Sequence, residues 1–229
     1  MKKLLLSLIL TMSAATTAQA AGGGGCGMNP ATQEPYECST APVRLTDKAS
    51  LQRGAAVFMN YCAGCHSLKY LRYERMATDL AIPNELVEKY MMFTTDKIGD
   101  GITAKIDPKM QAKWFGNAPP DLSLTARLRS PDWIYTFLLT FYEDPNRPWG
   151  VNNITFKDVA MPHVLHNLQQ DLGDDEYRER VGDLTNFLTY AAEPIAHQRK
   201  IYGFFVILFL LVLLIPVWLL NKEYWKDVK

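Results

Sequence analysis

The sequence predicts a mainly α-helical domain with long loops, tied to a membrane by a single C-terminal helix. Two features of the 229-residue chain lead to this expectation. Apolar residues recur at helical spacing in several segments, and two long stretches show no such periodicity. Residues 201–220 carry no charge and are numerous enough to cross a bilayer. The balance of 24 basic and 24 acidic residues gives no sign of a nucleic-acid-binding surface.

Residues 1–20 have the pattern of an export signal peptide. Lys2 and Lys3 precede a mostly apolar stretch, and residues 18–20 form an A-x-A cleavage pattern. The apolar stretch is too short to span a membrane, and the segment lacks the arginines of a mitochondrial presequence. We therefore expect a bacterial protein whose mature chain begins at Ala21. Removing 20 of the 229 residues leaves 209, enough for one ordinary domain and an anchor.

Helical patterns predict a mostly helical soluble part with long loops. The predicted helices span about 47–61, 84–92, a segment from 130 onward, and 174–191. Asp47 and Ser130 are suitable N-caps, and Pro131 is favoured in a first helical turn. Pro194 ends the last of these helices before the anchor. Residues 94–128 and 143–172 lack periodicity, and loops of this length are unusual in a domain that packs only on itself.

The C-terminal segment 201–220 is predicted to be the membrane anchor. At ~1.5 Å of rise per residue it reaches ~30 Å, the thickness of a bilayer core. Pro216 is tolerable in a membrane helix, and Trp218 suits the interface at the far end. Because the body of the chain is exported, we expect residues 45–196 to form a periplasmic domain. Only the tail, residues 221–229, is then cytoplasmic.

Cys62, Cys65 and His66 form a C-x-x-C-H run with three possible uses. A thioredoxin-like dithiol would follow a strand, whereas the preceding segment has a helical pattern. A zinc site would also need His163 and His166, whose H-x-x-H spacing is tight, and it leaves His66 without a role. Attachment of a c-type haem uses all three residues, two thiols for thioether bonds and an imidazole for the iron. The sequence therefore favours a c-type cytochrome domain whose long loops pack on one covalent haem.

A second axial ligand to the iron would make the haem mainly an electron carrier. Met161 is the first candidate because Pro162 fixes the geometry of its loop, although a methionine is more often core filler. His163 and His166 are the next candidates for this ligand. Three other methionines are less suitable, since they lie beside the attachment motif or in a predicted helix: Met59, Met91 and Met92.

The N-terminal arm, residues 21–44, contains the remaining cysteines. Cys26 and Cys38 bracket a segment rich in turn-forming residues, and an exported protein can form disulfides. A disulfide closing this loop is the favoured interpretation. A lipid-modified Cys26 is the alternative, but it would want an apolar residue where Gly23 stands.

Four segments occur in a characteristic order and are followed by one C-terminal membrane helix: the C-x-x-C-H run, "APPDLSLTARLR" at 118–129, "DWIYTFLLTFY" at 132–142 and "NNITFKDVAMP" at 152–162. This order resembles that of the cytochrome c1 family, the haem-bearing subunits of the ubiquinol–cytochrome c reductase (cytochrome bc1) complex. The resemblance runs from about Leu45 to the C-terminus. The C-x-x-C-H run alone would not distinguish c-type cytochromes, but the combination is specific.

The resemblance implies roles for individual residues. It makes Cys62 and Cys65 the thioether sites, His66 the proximal ligand and Met161 the distal ligand of the iron. It implies that Arg129 contacts a haem propionate, with Arg127 as the second choice, since an arginine fork suits a carboxylate. Pro119 and Pro120 would line the haem pocket. Trp133 stands where the family often has tyrosine, so no hydrogen-bonding role carries over to it.

The resemblance also implies a function and partners. The haem would accept an electron from the Rieske iron–sulfur protein and pass it to a cytochrome c. The quinol chemistry would lie in cytochrome b, so this chain would be a redox subunit without a catalytic site of its own, in a dimeric complex. Two other possibilities are a different membrane-anchored c-type electron carrier and a catalytic or sensing haem protein with an open sixth position.

An acidic run lies shortly before the anchor. Residues 171–183 contain six carboxylates and only two arginines. This run either steers a basic cytochrome c toward the domain or is simply a solvated helix face. Both interpretations stay open at this point.

Overall fold

The computed structural model describes residues 25–227, so the predicted signal peptide lies outside the described residues. The chain is mainly helical, as expected. Its helices are α1 (Lys48–Val57), α2 (Tyr73–Leu80), α3 (Asn84–Tyr90), α4 (Pro108–Phe115), α5 (Thr125–Arg129), α6 (Pro131–Leu139), α7 (His166–Ala192) and α8 (Ala196–Tyr224). A short π-helical turn, Phe58–Cys62, continues α1 and delivers the cysteine motif.

Two small antiparallel sheets connect the helices. Strand β1 (Leu68–Arg72) pairs with β2 (Gly101–Ile102), and β3 (Phe141–Glu143) pairs with β4 (Val151–Asn153). In the second sheet Phe141 lies opposite Asn153. The first sheet follows the cysteine motif directly, and the second leads into the loop that carries Met161. The two sheets therefore flank the two segments that the sequence indicated as functional, the cysteine motif and the loop that carries Met161.

The core forms where α1 crosses α7. Gly54 allows the two backbones to touch, because a Cβ at this position would lie 2.1 Å from the Asp183 carbonyl oxygen. Phe58 and Phe187 are fully buried at the crossing, with ring centroids 5.8 Å apart. Their burial removes apolar surface from water at the base of the cysteine motif, which stabilises the turn that bears it.

The predicted caps are present at both helices that were expected to have them. The Asp47 carboxylate accepts a hydrogen bond from the Ser50 N–H, and the Ser130 hydroxyl accepts one from the Trp133 N–H. Helix α3 starts at the predicted residue and ends two residues earlier than expected. Helix α7 begins at His166 rather than near 174, but it is kinked at Gly173, whose φ of 73° breaks the helical geometry.

The segment 94–128 lacks helical periodicity but contains two short helices, α4 and α5. Asp107 caps α4 and Pro108 occupies its first turn, so a local start signal is present. These helices are too short, at eight and five residues, to display a repeating apolar face. The expectation of an unbroken loop in this segment was therefore wrong, while much of 143–172 is a loop as predicted.

Helix α8 is the one helix within residues 25–227 that is long and apolar enough to cross a membrane. It spans 29 residues, and no part of it is buried against the domain. Pro194 lies in the break between α7 and α8, as the sequence predicts. The structure thus separates the helical domain from an apolar C-terminal helix by a three-residue junction.

The acidic run lies on α7, and the structure divides it into two kinds of residue. Five of its six carboxylates face solvent, on Asp171, Asp174, Asp175, Glu176 and Glu179. Asp183 is instead buried, and Arg53 donates to its two oxygens over 2.6 and 3.0 Å. Asp183 therefore belongs to the α1–α7 interface and not to any acidic surface.

Candidate functional site

A cavity of about 520 Å³ opens beside the cysteine motif. This volume falls in the range of ~300–1,000 Å³ that is typical of ligand and cofactor sites. The seven residues that the sequence analysis nominated for cofactor binding all line it: Cys62, Cys65, His66, Pro119, Pro120, Arg129 and Met161. The structure thus brings together residues that span 100 positions of the sequence, from 62 to 161.

The cysteine motif reaches the cavity as a tight turn at the end of the π-helical segment. The N–H groups of Cys65 and His66 both donate to the Cys62 carbonyl oxygen, over 3.0 and 2.8 Å. The buried side chain of Gln111, in α4, donates to the Cys65 carbonyl over 2.9 Å. These bonds satisfy the polar backbone of the turn and present both sulfurs and the imidazole to one space.

His66 is held in the tautomer that a metal requires. Its Nδ1 lies 2.8 Å from the Pro120 carbonyl oxygen. A carbonyl can only accept, so Nδ1 carries the proton and Nε2 keeps a free lone pair. Burial lowers the pKa of His66, which favours the neutral imidazole. The sequence placed Pro120 in the pocket wall but gave no signal for this bond, because the acceptor is a backbone atom.

The two thiols are unsuited to a dithiol redox centre. Burial raises the pKa of the Cys62 thiol to about 12, with a smaller contribution from Cys65. Burial also raises the pKa of Cys65. Reactive dithiols have a lowered thiol pKa instead. The local topology is reversed as well, since a helix precedes the motif and a strand follows it.

A four-ligand zinc site is not formed either. The His163 ring stacks on Phe141 at 4.7 Å, and its Nε2 lies 3.0 Å from Gln169 Oε1. The His166 ring packs against His163 at 5.6 Å, and neither histidine lines the cavity. Across residues 25–227, no group of three or more His, Cys, Asp or Glu side chains is arranged to hold a metal ion.

Met161 is the one methionine that lines the cavity among the described residues. The others lie in the core, pack against it or face solvent: Met28, Met59, Met76, Met91, Met92 and Met110. With His163 and His166 turned away, Met161 is the only neutral sulfur or nitrogen ligand from the 150–170 region that faces this space. Its thioether is a ligand that suits iron in a c-type centre.

Arg129 supplies a positive charge at the cavity wall. Its guanidinium carbon lies 5.2 Å from the centre of the Trp133 ring, within the range of a cation–π contact. Arg127, the second choice from the sequence, does not line the cavity. In this chain the Trp133 ring therefore contacts the Arg129 side chain at the cavity wall.

The rest of the wall is mainly apolar. Side chains from α6 and α7 contribute Ile134, Phe137, Leu138, Leu184 and Leu188. Phe115 comes from the end of α4 and Phe156 from the loop after β4. Helical spacing indicated an apolar face on α7, and the cap and proline indicated where α6 begins, but neither could indicate that these helices line a cavity. Apolar walls, a neutral imidazole with a free nitrogen, a thioether and one cation together fit a flat, largely apolar iron cofactor with carboxylate groups.

The N-terminal arm contacts the loop between β4 and Met161. Cys26 and Cys38 are joined by a disulfide, and the enclosed loop pairs Met28 with Pro35. Gly27 adopts a φ of 105° and sits against residue 154, where a Cβ would lie 2.0 Å from the Ile154 carbonyl oxygen. Only glycine fits this close approach.

The chain is similar in sequence to a known protein family and to individual proteins of several bacteria. The model of the cytochrome C1 family matches residues 39–228. Cytochrome c1 of Allochromatium vinosum is 47% identical over 216 residues, which cover 82% of this chain and 88% of that protein. The ammonia monooxygenase gamma subunit of Nitrosomonas europaea is 40% identical, over 82% of this chain and 87% of its own length. A protein of Bradyrhizobium diazoefficiens named cytochrome b/c1 is 26% identical, over 81% of this chain and 34% of its own length.

Proposed function

The chain belongs to the cytochrome c1 family, and we propose that it is the electron-transfer subunit of a bc1-type quinol–cytochrome c reductase. One observation carries this proposal: the same apolar cavity is lined by the C-x-x-C-H motif and by Met161. A c-type haem bound there would supply reversible one-electron chemistry. No other residue set among those described combines two thiols with two candidate iron ligands.

The residues of the cavity have distinct tasks in this proposal. Cys62 and Cys65 form the thioether bonds, and His66 offers Nε2 to the iron while Pro120 fixes its orientation. Met161 offers its thioether, which favours a higher potential than a second histidine would. Arg129 compensates a propionate charge. Pro119 and the apolar walls keep water from the iron.

The arrangement in the membrane follows from the two ends of the chain. We infer a signal peptide in residues 1–20, an N-terminal arm in 21–44 and a periplasmic haem domain in 45–196. Residues 201–220 anchor the chain in a bacterial inner membrane, and 221–229 form a cytoplasmic tail. The apolar and solvent-exposed helix Ala196–Tyr224 supports the anchor.

The partners are proposed from the family and from the name of one relative. A Rieske iron–sulfur protein donates the electron, a cytochrome c accepts it, and cytochrome b carries out the quinol chemistry, in a dimeric complex. The joint name cytochrome b/c1 of the Bradyrhizobium protein supports the pairing with cytochrome b. The five exposed carboxylates on α7 offer a surface for a basic cytochrome c.

The ligand set is tested by the near-infrared spectrum of the oxidised protein. The wild type should show a methionine-to-iron charge-transfer band, and Met161→Leu should lack it. The reduced Met161→Leu protein should also bind carbon monoxide, while the wild type should not. A wild type that lacks the band and binds carbon monoxide would overturn the assignment of Met161 and favour a catalytic or sensing haem.

The complex is tested by purifying the full chain from its native membrane under mild conditions. Cytochrome b and a Rieske protein should co-purify, and adding quinol should reduce the haem. The runner-up function is a membrane-anchored electron carrier of another enzyme system, which the name of the Nitrosomonas relative favours. It predicts that the chain purifies without these two partners and is not reduced by quinol.

A further inference from the structure

The loop between β4 and Met161 is held by a buried polar cluster. Asn152 and Asn153, at the end of β4, are 3% and 1% exposed. Buried amide groups are costly unless their donors and acceptors are paired, so two adjacent ones need a structural reason. The side-chain oxygen of each accepts hydrogen bonds from backbone N–H groups of the loop that follows.

Asn153 fixes the start of this loop. Its Oδ1 accepts from the N–H groups of Thr155 and Phe156, over 2.8 and 3.1 Å. Its Nδ2 donates to the Phe137 carbonyl in α6 over 2.7 Å. One side chain therefore shapes the turn and attaches it to a helix whose residues line the cavity.

Asn152 and Arg147 fix the end of the loop through Asp158. Asp158 has a φ of 62°, a conformation that is unfavourable for most residues with a side chain. Its N–H donates to Asn152 Oδ1 over 2.9 Å, and its carbonyl accepts from Arg147 over 2.7 Å. Arg147 also donates to the Val159 carbonyl over 3.1 Å, two residues before Met161.

We propose that Asn152, Asn153 and Arg147 are positioning residues that hold Met161 against the cavity. This inference rests on the proposed function, because it assumes that Met161 is an iron ligand. The attachment motif is linked to α1 by continuous helix, whereas Met161 follows a loop with no regular structure. A ligand on such a loop binds firmly only if the loop has little freedom to move away. The cluster supplies that restraint at both ends of the loop.

The test is the charge-transfer band per haem in purified full-length protein. Asn153→Ala should lose about half or more of the band, because it removes the two hydrogen bonds that shape the loop and the one that attaches it to α6. Asn153→Asp can still accept from Thr155 and Phe156 but cannot donate to Phe137, so it should retain more of the band than Asn153→Ala. The same variants should bind carbon monoxide in the reduced state in proportion to the lost band.

Asn186→Ala is the matched control. Asn186 is also a fully buried asparagine that joins two segments, since it accepts from the Arg44 N–H and donates to the Arg44 carbonyl. It lies away from the Met161 loop, so its loss should destabilise the fold but leave the band intact. If Asn186→Ala and Asn153→Ala lose the band equally at equal stability, the effect is general loosening and the inference fails.

Arg147→Gln provides a second variant in case Asn153→Ala does not fold. Arg147 is partly exposed, so the fold should tolerate its replacement, and the carbonyls of Asp158 and Val159 lose their donor. Hydrogen exchange in the full chain should rise at 154–160 and stay unchanged at 62–66. If Arg147→Gln and Asn153→Ala both keep the full band while Met161→Leu has none, the positioning role is overturned. The assignment of Met161 as an iron ligand would then still stand. A wild type without the band would overturn the proposed ligation as well.

Discussion

The two sides of the cavity are built in different ways. On the side of the cysteine motif, the three functional side chains fall within five consecutive residues, 62 to 66. Their turn is closed by hydrogen bonds to the Cys62 carbonyl and rests on the α1–α7 crossing. On the other side, the loop before Met161 is contacted by Arg147, by the Asn152–Asn153 pair and by Gly27 of the disulfide-closed N-terminal loop. The first side is local in sequence, and the second is assembled from distant segments.

This difference determines how each side should respond to substitution. The attachment motif supplies its reactive groups from consecutive residues, so replacing them should abolish haem attachment rather than reduce it. A loop held by several weak contacts should lose its restraint in steps, because each hydrogen bond contributes only ~0.5–1.5 kcal/mol net. Variants on the motif side should therefore abolish a property, whereas variants on the Met161 side should reduce one by degrees.

The largest effect is expected from Cys62→Ser combined with Cys65→Ser. Without either thiol no thioether can form, so no haem should remain on the chain after denaturation. Haem staining of a denaturing gel measures this directly. Cys26→Ser with Cys38→Ser is the control, since it removes the other two cysteines and should leave the staining unchanged. Staining of the Cys62/Cys65 variant would contradict the assignment of the attachment site.

The next effect is expected from Gly54→Val, at the base of the motif side. A Cβ at Gly54 would lie 2.1 Å from the Asp183 carbonyl oxygen and 2.7 Å from Phe187 Cβ. The helices α1 and α7 must then separate, and we expect a loss of ~3 kcal/mol or more in the free energy of unfolding. Gly99→Ala is the control, because nothing lies within 4 Å of its added Cβ. Equal melting temperatures for the two variants would contradict the close crossing.

The same contrast explains which features the sequence could predict. The cysteine motif, the caps at Asp47 and Ser130 and the anchor are local patterns, and each was visible without the structure. Met161 was nominated by its neighbour Pro162 and by the family resemblance, and it lines the expected cavity. In each case the signal lies within a few residues of the feature itself.

Features that depend on distant partners were not predictable from one sequence. The strands have two to five residues and are specified by pairing, as between Leu68 and Ile102, more than by their own composition. The roles of Gln111 and Arg147 depend on which carbonyl groups lie near them in the fold. Nothing in the identity of a glutamine or an arginine reveals a backbone partner that is many residues away.

An intermediate effect is expected from Cys26→Ser with Cys38→Ser on the Met161 side. The disulfide closes a loop with a sequence separation of 12. A loop of this size is worth roughly 3 kcal/mol of stability in the chain-entropy account. Because Gly27 packs on Ile154, hydrogen exchange should rise at 154–156 while residues 62–66 keep their protection. Chemical denaturation and exchange measure the two effects, and loosening of the cysteine motif instead would contradict the separation of the two sides.

The smallest effect is expected from Gln111→Ala, which tests whether the motif side also has distributed support. Gln111 is 2% exposed and gives the Cys65 carbonyl its side-chain donor, so its truncation should cost about 1–3 kcal/mol. Gln52→Ala is the matched control, since Gln52 makes the same kind of bond to the Leu80 carbonyl, away from the motif. Both variants should keep the haem and the charge-transfer band, but only Gln111→Ala should speed hydrogen exchange at 62–66. If Gln111→Ala weakened the band as much as Asn153→Ala does, the motif side would depend on long-range contacts as heavily as the Met161 side.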